Sequence, residues 1–125
     1  MRRRRRSKGF SGSEEYHRSA ATEMLADAKM DLSAAAKLLR KSGPLTKRAC
    51  VLVHTDLRSA AMPLWGAHAH LDDHRNPALD AKARKLADDW HEANDKFSSK
   101  CLGGRPSAND TELVRRSHRH PHEEP

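Results

Sequence analysis

No apolar run in this sequence approaches the roughly 20 residues that a membrane-spanning helix requires, and its 125 residues contain no glutamine. The first absence leaves no candidate span in the stretch. The second, with no helix face that gathers Arg and Asn, removes the side chains that read base edges. There is no aromatic stacking platform for single strands either. Cysteine is scarce. Cys50 and Cys101 are too few for a disulfide scaffold, and the expectation from them is a reducing cytoplasm. The start Met1-Arg2-Arg3-Arg4-Arg5-Arg6 has the charge of a secretory leader, but Ser7-Lys8-Gly9 follows where an apolar stretch should be, so secretion is not expected.

Apolar residues make up 36% and charged residues 33%, which is enough for one modest core. Their spacing is helical throughout. Ala21, Leu25, Ala28, Leu32, Ala35 and Leu39 recur at steps of four and three, one stripe on a helix. Ser13 is the expected N-cap, with Glu14 and Glu15 in the first turn; Ser11 with Glu14 is a competing capping box. Ser42-Gly43-Pro44 ends this helix. A second stripe is Ala49, Val53, Leu57, Ala60, Leu64, Ala67 and Leu71. Pro63 lies inside it and cannot bond to the Ser59 carbonyl, so a kink is expected there, with a break near Met62-Pro63 as the alternative. Asn76-Pro77 reads as a cap followed by proline at the first helical position. The third stripe is Leu79, Ala83, Leu86, Trp90, Ala93 and Phe97, stopped at Gly103-Gly104.

Three helices of similar length with short turns predict an all-α, antiparallel up-down-up three-helix bundle over residues 13–102. A disordered polyarginine arm (1–12) precedes it and a flexible His-rich tail (103–125) follows. Counting outward from the turns sets Leu25, Leu64 and Leu86 at one level and Ala28, Ala60 and Trp90 at the next. Ala35, Val53 and Phe97 come above them, then Leu39, Ala49 and Cys101. Cys50 and Cys101 thereby fall at one end. We read them as two small thiols filling the top of the core, against a redox pair or half a metal site.

The net charge of +7 is unevenly placed. Arg2, Arg3, Arg4, Arg5, Arg6 and Lys8 face no acid in the first dozen residues and contribute +6. Residues 13–102 hold 14 basic and 13 acidic side chains, and the remainder is neutral. Adjacent guanidiniums are always charged and bind phosphate without regard to sequence. A contact of five or six of them predicts a log-log salt slope of roughly −4 to −5 on duplex DNA. The expected function is therefore non-enzymatic binding of nucleic acid or another polyanion, with no cofactor. Lys41, Lys47 and Arg48 are candidate further contacts at the basic end. A protein–protein adaptor that oligomerises through Met24, Met30, Leu38, Val51, Leu52 and Met62 is the alternative. Because Glu14, Glu15, Asp72 and Asp73 fall at the end where the arm emerges, the arm is also expected to fold back on them until a stronger anion displaces it.

Nine histidines include His17, His70 and His74 at one end, weak candidates for zinc; we read them as solvated residues at frayed helix ends. His118-Arg119-His120-Pro121-His122 alternates like a loose chelating peptide. Two enzyme patterns are present. Glu14 with His17 has the spacing of carboxylate-bridged metal bundles, but its partner pair, Asp88 and His91, should lie ~16 Å away along the axis. Arg48 to His54 and Arg84 to His91 have the spacing of HEPN-type helical ribonucleases, a match that fifteen arginines and nine histidines produce readily by chance, so a HEPN-like ribonuclease is kept only as the enzyme-class alternative.

The arginine-run start, Phe10-Ser11-Gly12-Ser13 and the Ala/Leu-rich hairpin up to residue 71 resemble small helical proteins of double-stranded DNA phages. That resemblance implies an accessory or virion-associated protein and carries over no functional residue.

Overall fold

A computed structural model describes the backbone of residues 9–105, and the side chains from residue 13 onward except that of Asp73. Arg2–Arg6, Lys8 and the histidines of 118–122 lie outside the described residues. Among those described there are three helices and no strand: α1 (Gly9–Leu39), α2 (Lys47–Asp73) and α3 (Pro77–Cys101).

Two of the three helix starts follow their local chemistry. Thr46 caps α2 by accepting from the Ala49 N–H at 3.1 Å, and Asn76 caps α3 by accepting from the Leu79 N–H at 3.1 Å, ahead of Pro77. The start of α1 departs from expectation: Ser13 is not its cap, because the helix begins at Gly9. A serine cap is worth about 1 kcal/mol, and each residue added beyond it supplies a further backbone bond. At Pro63 the outcome is continuity, with α2 running unbroken from Lys47 to Asp73.

The helices run antiparallel in sequence order. Between α1 and α2, His17 meets His70 and Met24 lies where a side chain on Gly66 would point. Further along, Asp31 acts on Asp56. As the α1 number rises the α2 number falls. Between α2 and α3, Cys50 joins Cys101, His54 packs on Phe97 and Leu57 meets Trp90, again in opposite order.

The core matches the stripes closely. Every residue expected on α1 is buried, as are Val53, Leu57, Ala60, Leu64, Ala67 and Leu71 of α2. On α3 the buried row is Leu79, Ala83, Ala87, Trp90, Ala93, Asn94 and Phe97. Leu86 is only half-buried and Ala87 takes the inner place. Trp90 is fully buried, and its indole N–H donates to the Leu57 carbonyl at 2.9 Å, which satisfies the one polar atom of that side chain. Among the described residues, nine of the 20 buried apolar side chains are alanines, so the helices approach closely while burying little area per residue.

The two cysteines are not a pair of thiols. Their sulfurs are bonded, with Cα atoms 5.8 Å apart. The register that put them within one helical turn of each other also brings their Cα atoms inside bonding range. The link ties the start of α2 to the end of α3, and the inference of reducing surroundings from the cysteine count loses its support.

Candidate polyanion surface

Lys37, Arg40 and Lys41 follow one another at the end of α1, and Lys47 and Arg48 open α2. The α1–α2 turn holds Gly43 at φ +74°, a left-handed conformation that suits glycine. Lys41, Lys47 and Arg48 are exposed. Lys100 turns inward. Its ammonium donates to the Lys41 carbonyl at 2.7 Å and the Gly43 carbonyl at 3.0 Å, so it ties the end of α3 to the α1–α2 turn. The disulfide and Lys100 together make this the most tightly tied end of the bundle.

The arm joins at the opposite end. Thirty helical steps separate Gly9 from Leu39, or ~45 Å. The sequence-predicted contacts thus divide in two: Arg2–Arg6 and Lys8 attach at one end, and Lys41, Lys47 and Arg48 stand at the other. Sequence spacing did not bring out a third cluster of basic residues. Lys29 of α1 with Lys82 and Lys85 of α3 edges an open groove of about 760 Å³ whose floor includes Leu25, Leu79 and Leu86. Lys85 is paired with Asp89 at 3.0 Å. These lysines are far apart in sequence, and only the α1–α3 packing brings them together.

At the arm end, His17, His70 and His74 are not independently solvated. The Nδ1 atoms of His17 and His70 are 2.6 Å apart, one donating to the other, and the His17 and His74 rings stack at 4.0 Å. Tyr16 sets its ring edge-on to His17 and His70. All three imidazoles are half-buried, and the contact fastens α1 to the end of α2. Among the described residues no set of three or more His, Cys, Asp or Glu side chains is arranged to hold a metal ion.

The residues of the two enzyme patterns are spread through the packing. His54 lies against Phe97 at 5.7 Å. His91 sits against Trp65 and Trp90, and Arg48, Arg84, Glu14 and Asp88 are exposed. One carboxylate is perturbed. Asp56 is pushed above the usual carboxylate range by partial burial and by the negative charge of Asp31.

Among the described residues no helix is long and apolar enough to cross a membrane. Comparison with protein-family models, with curated proteins and with solved structures finds no match.

Proposed function

We propose that this chain binds nucleic acid, or a polyanion of like charge density, without sequence specificity, and that the arginine arm supplies the affinity. The observation that carries the reading is the segregation of charge: six of the seven net positive charges fall in the first dozen residues, beside a body that is nearly neutral. An arm of five adjacent guanidiniums releases condensed counterions wherever it lies on a phosphate backbone, which is a sequence-blind source of affinity. The bundle serves as the mount. Lys41, Lys47 and Arg48 join only when the polyanion is long enough to span the body. The reading is non-enzymatic, and it is compatible with the accessory or virion-associated role that the phage resemblance implies.

Fluorescence anisotropy with a labelled 30-base-pair duplex tests the reading. The expected log-log salt slope is about −5, and deleting residues 2–6 should abolish most of the binding while leaving the helical spectrum intact. Equal affinity with and without the arm at low salt removes the proposal. A second reading, a self-associating adaptor, is favoured by the exposed Val51, Leu52 and Met62 on the outer side of α2. Met62 is 75% exposed. Met24 and Leu38 pack on the core and leave that set. Sedimentation at micromolar concentration separates the two, since a strict monomer excludes the adaptor. A cytoplasmic location and a closed disulfide make opposed demands, and trapping the thiols by alkylation in intact cells decides between them.

A further inference from the structure

The seam between α1 and α3 stays open along most of its length. Beyond the hollow of about 760 Å³ edged by Lys29, Lys82 and Lys85, a second of about 260 Å³ follows, floored by Leu32, Ala36, Leu39 and Ala93. The two share Lys29, Leu86 and Asp89, so they form one groove. Its α1 wall runs from Thr22 to Leu39 and its α3 wall from Leu79 to Lys96. Each wall is seventeen helical steps, or ~26 Å. The numbers on the two walls rise together, because α1 and α3 are each antiparallel to α2 and so parallel to one another.

The floor is accessible and its side chains are mostly small. Ala26, Ser33 and Ala81 are exposed, and Ala36 is half-buried. Small side chains on a floor let another helix axis come close. Leu86 stands where the two hollows meet. It keeps the phase of the core row, yet it is only half-buried, because its outer side faces the groove.

The walls are basic. Lys29 and Arg40 on the α1 side and Lys82, Lys85 and Lys96 on the α3 side face two acids, Asp89 and Glu92. That net of +3 leaves nine basic and eleven acidic side chains on the rest of residues 13–102, so the groove is positive against a body that is otherwise slightly negative. Lys85 pairs with Asp89 at 3.0 Å and Lys96 with Glu92 at 3.8 Å, both within α3. Lys29, Arg40 and Lys82 have no ion pair among the described residues, and they stand on both walls.

We infer that this groove docks an amphipathic helix of a partner protein, apolar toward Leu86 and acidic along both flanks. Its length suits about 17 residues of helix, and docking turns the three-helix bundle into a four-helix one. The spread of the cations decides against other anions. Lys82 and Lys96 are fourteen steps apart, ~21 Å, too far for the single headgroup of a fatty acid to meet both. A phosphate backbone matches that spacing, but it gains nothing from a floor of leucine and alanine and is repelled by Asp89 and Glu92. The docking is independent of the arm, whose affinity for polyanions stands or falls separately.

The test uses the full chain and a synthetic peptide of about 18 residues with leucines along one face and glutamates on both flanks. A scramble of the same composition controls for the attraction of any acidic peptide to the arginine arm. The designed peptide should bind about tenfold tighter than the scramble, the scale of a few surface ion pairs and an apolar contact. It should also shift the amide signals of Ala26, Lys29, Leu86 and Ala93 in NMR spectra. Lys29 and Lys82 are exposed on helix surfaces, so a Lys29→Glu/Lys82→Glu variant should keep its melting temperature while losing the preference. Equal affinity for the two peptides, or amide shifts confined to other faces, overturns the inference. So does a preference that survives the charge reversal. A duplex that shifts the same amides in a chain lacking residues 2–6 overturns it in favour of phosphate. Groove signals that change with protein concentration alone, with a dimer in sedimentation, overturn it in favour of a second copy.

Discussion

Reducing the bond between Cys50 and Cys101 should cost the bundle a large part of its stability. The two residues are 51 apart in sequence, so the link closes most of α2, the turn and all of α3 into a loop. The chain-entropy relation gives about 14 cal/mol/K for a loop of that length, or about 4 kcal/mol at room temperature. Domains of this size have 5–15 kcal/mol in total, and the alanine-rich core places this one toward the lower part of that range. For a domain near 100 residues each kcal/mol moves the midpoint by about 4–8 °C, which predicts a fall of about 15–30 °C on reduction. Helical circular dichroism followed through thermal melts with and without a phosphine reductant measures this, and alkylation and mass counting confirm the redox state. A Cys50→Ser/Cys101→Ser variant should melt with the reduced protein. Two reactive thiols in the untreated native chain, or a verified reduction that leaves the midpoint within a few degrees, would refute the reasoning.

Three further outcomes follow from the packing and the charges. Asp56 holds its proton more tightly when folded than when unfolded, so stability falls as pH rises between the two titrations, and the penalty is fully present at neutral pH. Asp56→Asn should therefore stabilise by about 0.2–0.5 kcal/mol at pH 7, the size of a like-charge pair, and the gain should vanish in melts near pH 3. Gly66→Ala should add about 0.5 kcal/mol in urea unfolding. Its new Cβ would meet the Met24 sulfur at 3.0 Å, but that thioether is a flexible end, and alanine is the better helix former by about 1 kcal/mol. A bulkier valine at position 66 should destabilise. Reversing Lys41, Lys47 and Arg48 to glutamate should weaken binding to a 30-base-pair duplex. A 10-base-pair duplex should be unaffected, because at 3.4 Å per pair it is shorter than the ~45 Å body. Equal loss on both lengths would show that one end suffices.

The stripes were legible because burial in a bundle follows helical phase, and phase is a property of sequence spacing alone. All six positions expected on α1 are buried. The errors have a common cause. The inner face of α3 is broader than one stripe, so Ala87 and Asn94 are buried beside the expected row and Leu86 lines the α1–α3 groove. Trp65 escaped notice because it sits off the stripe, where its ring packs beside those of His68, Trp90 and His91. The histidine contact was invisible for another reason. Spacing shows that His70 and His74 share a face, but the ring contacts to His17 depend on side-chain rotation after the helices have packed. The disulfide lay between these extremes: the register placed both cysteines at one height, and only coordinates show whether the sulfurs bond.

The two ends of the bundle are held by different chemistry, and this bears on how an arm could act. At the Cys50–Cys101 end the covalent link and the Lys100 contact to the α1–α2 turn hold the helix ends together. At the arm end the fastening is a set of imidazole contacts between α1 and α2, each worth about 1 kcal/mol or less. Local opening starts where buried contacts are fewest, so the first turns of α1 should exchange amide hydrogens well before α2 and α3 do. The Nδ1 contact of His17 and His70 accommodates one proton between the two nitrogens. His17→Ala, which removes the contact without adding charge, should therefore speed amide exchange of residues 13–20, and unchanged exchange there would show that the imidazole contacts do not fasten this end.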